Sequence, residues 1–217
     1  MTELLAMAKF MNKYRIDSHR RPGWDYAADG IYFITLVTQH RIHHLGEIEM
    51  IETHSRASLP IMQLSDFGRI VETEWMESFE MRSELFLDEY VIMPNHIHAI
   101  IVLDKTNVDA EPTVKTHGPP VETHGRVSLQ QPSEFIRRPR SVSSFIGGFK
   151  SRVNTKINNH IDIHQPDRPK FDRHHHFFQP NYHDHIIRNE KSYQRIKNYI
   201  IDNPLNWDAD KFNNSEQ

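Results

Sequence analysis

The chain has no cysteine. That excludes disulfides and thiolate metal sites, and it fits a reducing cytoplasm. No apolar run approaches the roughly 18 residues of a membrane span. The first residues include Glu3 and carry no secretory-signal pattern, so a cytoplasmic protein that does not enter a membrane is expected. An excess of one charge is missing too. A net charge of −3 gives no overall attraction to nucleic acid. The balance is uneven, however: between Arg137 and Arg173 the only acids are Asp162, Asp167 and Asp172 among many Lys and Arg residues, which leaves room for a local basic face. A length of 217 residues suggests one domain, with or without appendages.

Histidine is abundant, with 16 residues. The stretch Val91-Ile92-Met93-Pro94-Asn95-His96-Ile97-His98-Ala99-Ile100-Ile101-Val102-Leu103 organises the rest. It reads as a strand end, a Pro-Asn turn and a second strand that is apolar on both faces, hence central and covered. Strand residues alternate in direction, so His96 and His98 project to one side and can reach one metal ion together. With so many histidines about one His-x-His is expected by chance, and His174-x-His176 and His183-x-His185 also occur. Spacing alone therefore does not decide between ligands and core residues.

Ahead of this hairpin, residues 1–29 form an N-terminal arm. Its Arg20 and Arg21, beside Trp24, could touch nucleic acid, or Trp24 could pack on the domain. Ile31–Thr38 is a strand rich in β-branched and aromatic residues, and Gly46–Ile51 a weaker one. Ser65 caps a helix whose buried face is Phe67, Ile70, Val71, Trp75 and Phe79. Residues 105–138 are a low-complexity insertion in which Thr116-His117-Gly118 is echoed by Thr123-His124-Gly125; the composition predicts disorder. Ser141 caps a helix with Val142, Phe145, Ile146, Phe149, Val153 and Ile157 inward, and Lys150, Arg152 and Lys156 at its edges as candidate DNA-phosphate contacts. Gly147-Gly148 within it implies either close approach of another backbone or a kink. Phe177–Gln179 reads as a short strand and Tyr182 onward as a helical turn. Asn189 then caps a last helix that ends at Asn203-Pro204.

In this order, the segments "YFITLVTQHR", "VIMPNHIHAIIVL", "SFIGGFKSRVNTKIN" and "FFQPNYHDHIIRN…YIIDNPLNW" resemble the REP-associated tyrosine transposases, single-tyrosine HUH transposases that act on single-stranded DNA. The resemblance covers residues 10–104 and 141–207. It implies an α+β, ferredoxin-like central antiparallel sheet covered by helices. The domain would span 30–207, interrupted by the disordered insertion and followed by a tail at 208–217.

The resemblance further implies His96 and His98 as the HUH pair, a divalent cation (Mg²⁺ or Mn²⁺) as cofactor, and Tyr182 as the nucleophile. That tyrosine would form a 5′-phosphotyrosine on single-stranded, hairpin-forming DNA and later rejoin strands without ATP. Relatives place a polar ligand four residues after the tyrosine, where Ile186 stands here. On a helix His185 shares Tyr182's face and is the first choice, with Asp184 the alternative and Gln179 a third. Tyr193 and Tyr199 lie in an amphipathic helix, where packing accounts for them. The protein would act as a monomer or homodimer. The other readings are a DNA-binding protein without catalysis, a replication-initiator-like nickase, and a metal hydrolase that does not use DNA.

Overall fold

The structure is a computed structural model in which residues 25–52, 58–106 and 140–213 are described. Strands β1 (Gly30–Val37), β2 (Gly46–Glu52), β3 (Ser58–Leu64), β4 (Leu85–Met93), β5 (His96–Leu103) and β6 (His183–Ile187) alternate with helices α1 (Asp66–Glu80), α2 (Val142–His164) and α3 (Glu190–Ile201). β5 carries apolar side chains on both faces and lies inside the main sheet. It pairs antiparallel with β4 and β1, and β1 pairs antiparallel with β6, giving the order β4-β5-β1-β6. Leaving aside the β2–β3 hairpin, the chain runs β-α-β-β-α-β through an all-antiparallel sheet. This is the α+β, ferredoxin-like arrangement.

The two faces are covered differently. Ile34, Leu36, Ile97, Ala99 and Ile101 pack under α1 and α2, whose Trp75, Phe145 and Phe149 complete the main core. Trp75 meets Phe149 edge-on at 5.0 Å between ring centres. On the other face Ile100 and Ile187 meet Ile196 and Ile200 of α3. This smaller cluster leaves the end of the sheet that carries His96 and His98 to be covered by other residues.

Helix starts follow local chemistry. Ser65 Oγ accepts from the Gly68 amide, and Ser141 and Ser144 form a reciprocal capping box. α2 runs unbroken through Gly147 and Gly148. A side chain at Gly148 would meet only the Arg82 guanidinium at 3.5 Å, so no backbone approach explains that glycine. β3 was not expected: Pro60 interrupts its pattern, while Leu59 and Ile61 point outward. Residues 183–187 form a strand rather than a helical turn, because their backbone pairs with Ile31–Thr35 of β1. The Phe177–Gln179 segment is reduced to one bridge, between Thr38 and Phe178. The insertion from residue 107 onward, Trp24, Arg20 and Arg21 lie outside the described residues.

Gly46 sits at φ +145°, and a Cβ there would collide with the Gln63 carbonyl across the hairpin. Gly46→Ala should cost about 1–3 kcal/mol. Denaturant unfolding checks this, and an unchanged midpoint would contradict it.

Candidate active site

β5 begins at His96, so both histidines lie at the sheet end where β4 turns into it. His96 is fully buried and His98 is 1% exposed; their ring centres are 4.4 Å apart. Each ring is oriented through Nδ1. The Asn95 amide group donates to the carbonyls of Arg41 (2.9 Å) and Phe212 (2.6 Å), which leaves Asn95 Oδ1 to face His96 Nδ1 at 2.9 Å. An oxygen there requires the proton on Nδ1 and puts the lone pair on Nε2. His96 Nε2 is buried and has no hydrogen-bond partner among the described residues. In His98, Nδ1 lies 2.7 Å from Thr35 Oγ1 of β1, and Nε2 lies 3.1 Å from the Tyr199 hydroxyl. With Tyr199 donating, His98 takes the same tautomer.

Burial keeps both rings neutral at physiological pH. It pushes His96 down to about 4, reinforced by Lys211 and His43, although the Asp210 carboxylate and Asn203 carboxamide pull the other way. His98 lies well below its ordinary value, first through burial and then through the neighbouring His96, Lys211 and His183. Neutral imidazoles are metal ligands through an Nε2 lone pair, which is free on His96 and is met by the Tyr199 hydroxyl on His98.

A third group comes from beyond α3. The chain passes through a short 3-10 helix, Pro204–Ala209, and folds back so that Phe212 packs 4.8 Å from the His96 ring. Ligand atoms of His96, His98 and Asp210 all lie within 4.8 Å of one another. Asn203 adds a second orphaned atom: the residue is 1% exposed, and its buried Oδ1 has no hydrogen-bond partner among the described residues. Two nitrogen donors, a carboxylate and a spare carboxamide oxygen suit a divalent cation of mixed nitrogen and oxygen preference. These residues fit such an ion.

Tyr199, on α3, is beside this group. It is 40% exposed, and its hydroxyl lies 3.1 Å from His98 Nε2 and 3.4 Å from Asp210 Oδ2. Partial burial and the Asp210 charge push it up to about 12, against the pull of Asn203. A cleft of about 540 Å³ opens in front of it, walled by Phe33, His98, His183, His185, Asp210 and Lys211 among others.

The expected nucleophile lies elsewhere. Tyr182 packs in the core beneath α2, 6% exposed, with its hydroxyl 3.1 Å from Ser143 Oγ. Strand alternation puts Tyr182, Asp184 and Ile186 on the α2 side of the sheet and His183 and His185 on the histidine side. In this extended segment His185 and Tyr182 face opposite sides of the sheet rather than sharing a helix face. His185 is on the cleft wall, outside the group that closes on His96 and His98. Asp184 accepts from the Tyr26 hydroxyl at 2.6 Å, and Gln179 Nε2 reaches the Thr38 carbonyl at 3.5 Å.

The expected DNA cations are also engaged. Lys150 donates to the carbonyls of Gln179 (2.6 Å), Pro180 (3.4 Å) and Asn181 (3.1 Å). Arg152 pairs with Glu74 and Glu77 at 2.7 Å each, and Lys156 lies 3.8 Å from Glu74. All three belong to the α1–α2 layer, across the sheet from the histidines. Tyr199, Asn203 and Asp210, which the structure brings beside the two histidines, are not among the site residues expected from the sequence. One signal was available: Asn203 stands four residues after Tyr199, the spacing the resemblance assigns to a tyrosine and its polar ligand.

No family model matches the chain. A protein of Haemophilus influenzae, described only as uncharacterized, is 28% identical over 209 residues, covering 92% of this chain and 96% of its own length. Among solved structures, a REP-associated tyrosine transposase bound to a REP hairpin aligns with a TM-score of 0.50 at 15% identity. The alignment covers 88% of this chain and 74% of that one. This structural neighbour comes from the family that the motifs resemble, and at that identity the likeness is one of fold. No helix among the described residues is long and apolar enough to cross a membrane.

Two outcomes follow from the buried pair. Thr35→Val keeps the shape but removes the oxygen held to His98 Nδ1, and should weaken divalent-ion binding about 10–100-fold in calorimetry; unchanged affinity would contradict this orienting role. For pH, unfolded His96 takes a proton near 6.5 and the folded ring only near 4. The contribution of His96 to the stability of the metal-free protein is therefore fully present above pH 6.5 and falls as the pH drops towards 4, by about 3 kcal/mol. A His96→Gln variant should show a flatter curve over that window, and equal slopes would contradict the assignment.

Proposed function

We propose that this protein cleaves and rejoins single-stranded, hairpin-forming DNA through a covalent tyrosine link. Tyr199 is the nucleophile in this reading, and His96, His98 and Asp210 hold a divalent cation, with Asn203 as a further oxygen donor. The observation that carries the reading is the Tyr199 hydroxyl, 3.1 Å from His98 Nε2 and at the mouth of an open cleft. Asn203, four residues on, occupies the place of the polar ligand that the resembled family puts after its tyrosine. The fold shared with a hairpin-bound tyrosine transposase is consistent with it.

The chemistry explains the arrangement. A tyrosine held up to about 12 is protonated at neutral pH and a poor nucleophile. A bound Mg²⁺ or Mn²⁺, the latter better suited to two imidazoles, would neutralise charge on the scissile phosphate and favour the phenolate. Tyr199 attacks phosphorus along the cleft, and its proton passes to Asp210 Oδ2, the nearest carboxylate oxygen. The bond from phosphorus to the 3′ oxygen breaks, and that oxygen leaves as a 3′-hydroxyl after taking a proton from water. The strand stays linked to Tyr199 through its 5′ phosphate. Attack by another 3′-hydroxyl reverses the step and releases the tyrosine, so no external energy source is needed. His183 and His185, on the cleft wall, would face the substrate rather than the ion.

The test compares two hydroxyl deletions on hairpin DNA with Mn²⁺. Tyr199→Phe should fold, bind the ion and form no covalent protein–DNA adduct. Tyr182→Phe should still form it, with at most a modest loss of stability from the Ser143 contact. The opposite pattern would move the nucleophile to Tyr182 and sink this assignment.

A further inference from the structure

The helix that carries Tyr199 also carries Lys191 and Arg195, at intervals of four residues along one edge. At 1.5 Å of rise per residue Arg195 lies about 6 Å and Lys191 about 12 Å from Tyr199 along the axis. About a third of a turn round the helix, Ile196 and Ile200 meet the sheet. Both cations are exposed and line an open cavity of about 700 Å³ together with Arg188 and Ser192. That cavity and the cleft in front of Tyr199 share Asp184 and His185 as lining residues, so they adjoin along β6.

The Asp184 carboxylate accepts from Tyr26, and Glu190 accepts from Gln194 at 2.7 Å. Among the described residues Lys191 and Arg195 make no ion pair, whereas Lys197, two residues beyond Arg195, pairs with Asp88 at 3.0 Å. The cations that fit the catalytic side of the sheet are therefore these two and not Lys150, Arg152 and Lys156. Phe33, Tyr199 and the histidines of β6 supply ring faces on which unpaired bases can stack beside a charged edge.

We propose that Lys191 and Arg195, assisted by Arg188, form a phosphodiester-binding track that holds the single-stranded flank of the DNA running away from Tyr199. The inference rests on the reading above and assigns the DNA a direction across the molecule. A single strand gives up about 0.7 of logarithmic salt slope for each neutralised phosphate, which makes the track measurable.

The experiment uses the full chain carrying Tyr199→Phe, so that DNA is bound but not consumed. The probes are a hairpin without a flank and the same hairpin with a single-stranded flank lengthened one nucleotide at a time. Affinity should rise with flank length and then level off. Adding Lys191→Gln and Arg195→Gln should abolish that rise, leave binding of the flankless hairpin unchanged, and lower the salt slope for the long probe by about 1.4. The charge-keeping pair Lys191→Arg and Arg195→Lys should restore both, which separates charge from folding. Equal flank dependence with and without the two cations would overturn the track, as would an equal loss on the flankless hairpin. Failure of the unsubstituted-track protein to bind any probe would remove the DNA reading itself along with the track.

Discussion

The site depends on one buried amide. Asn95 is fully buried, and its side chain holds three separate pieces of chain: the turn at Arg41, the terminal segment at Phe212, and the His96 ring. Its own carbonyl accepts from the backbone and hydroxyl of Thr38, at 2.8 and 3.0 Å. The Pro94-Asn95 turn thus does more than reverse the chain between β4 and β5. It fixes the His96 tautomer and, through the Phe212 carbonyl, keeps Asp210 in the neighbourhood of the histidines. A smaller residue there would leave the buried Phe212 carbonyl and the His96 imidazole proton without partners, a cost of about 1–3 kcal/mol for each.

The sheet separates stability from chemistry. One face, under α1 and α2, holds nearly all the large aromatic packing. The other buries a small aliphatic cluster with α3, and beyond it Trp207 and Phe212 close over the polar histidine end. Two neutral imidazoles, an orphaned carboxamide oxygen and a tyrosine pushed up to about 12 are unfavourable together without a cation. A divalent ion held by His96, His98 and Asp210 would relieve this, with the imidazole lone pairs as donors and its charge favouring the phenolate. The arrangement resembles other sites in which local rules of satisfaction are broken where chemistry occurs.

Much of this was legible in the residues. The β4–β5 hairpin, the caps at Ser65, Ser141 and Asn189, and the shared direction of His96 and His98 follow from period and capping chemistry alone. The third partner and the neighbouring tyrosine did not. Asp210 reaches the histidines only because a 3-10 helix folds the end of the chain back, a long-range event with no periodic signature. Tyr199 fits its helix pattern well enough to pass for packing, and only its spacing to Asn203 hints otherwise. The segment after Tyr182 reads as a helical turn in the sequence because a five-residue stretch with a His at every second position carries too little pattern to exclude one. Pairing with β1 decides that ambiguity, and it sends Tyr182 to the far side of the sheet.

The account turns on which tyrosine carries the DNA, and peptide mapping reads that directly. The protein is incubated with hairpin DNA and Mn²⁺, the DNA is digested to a short nucleotide remnant, and trypsin releases the labelled peptide. Cleavage after Lys197 and Lys211 isolates Tyr199 in one peptide, and cleavage after Arg173 and Arg188 isolates Tyr182 in another. The account predicts the phosphonucleotide on the peptide from Asn198 to Lys211. A remnant on the peptide from His174 to Arg188 would contradict it.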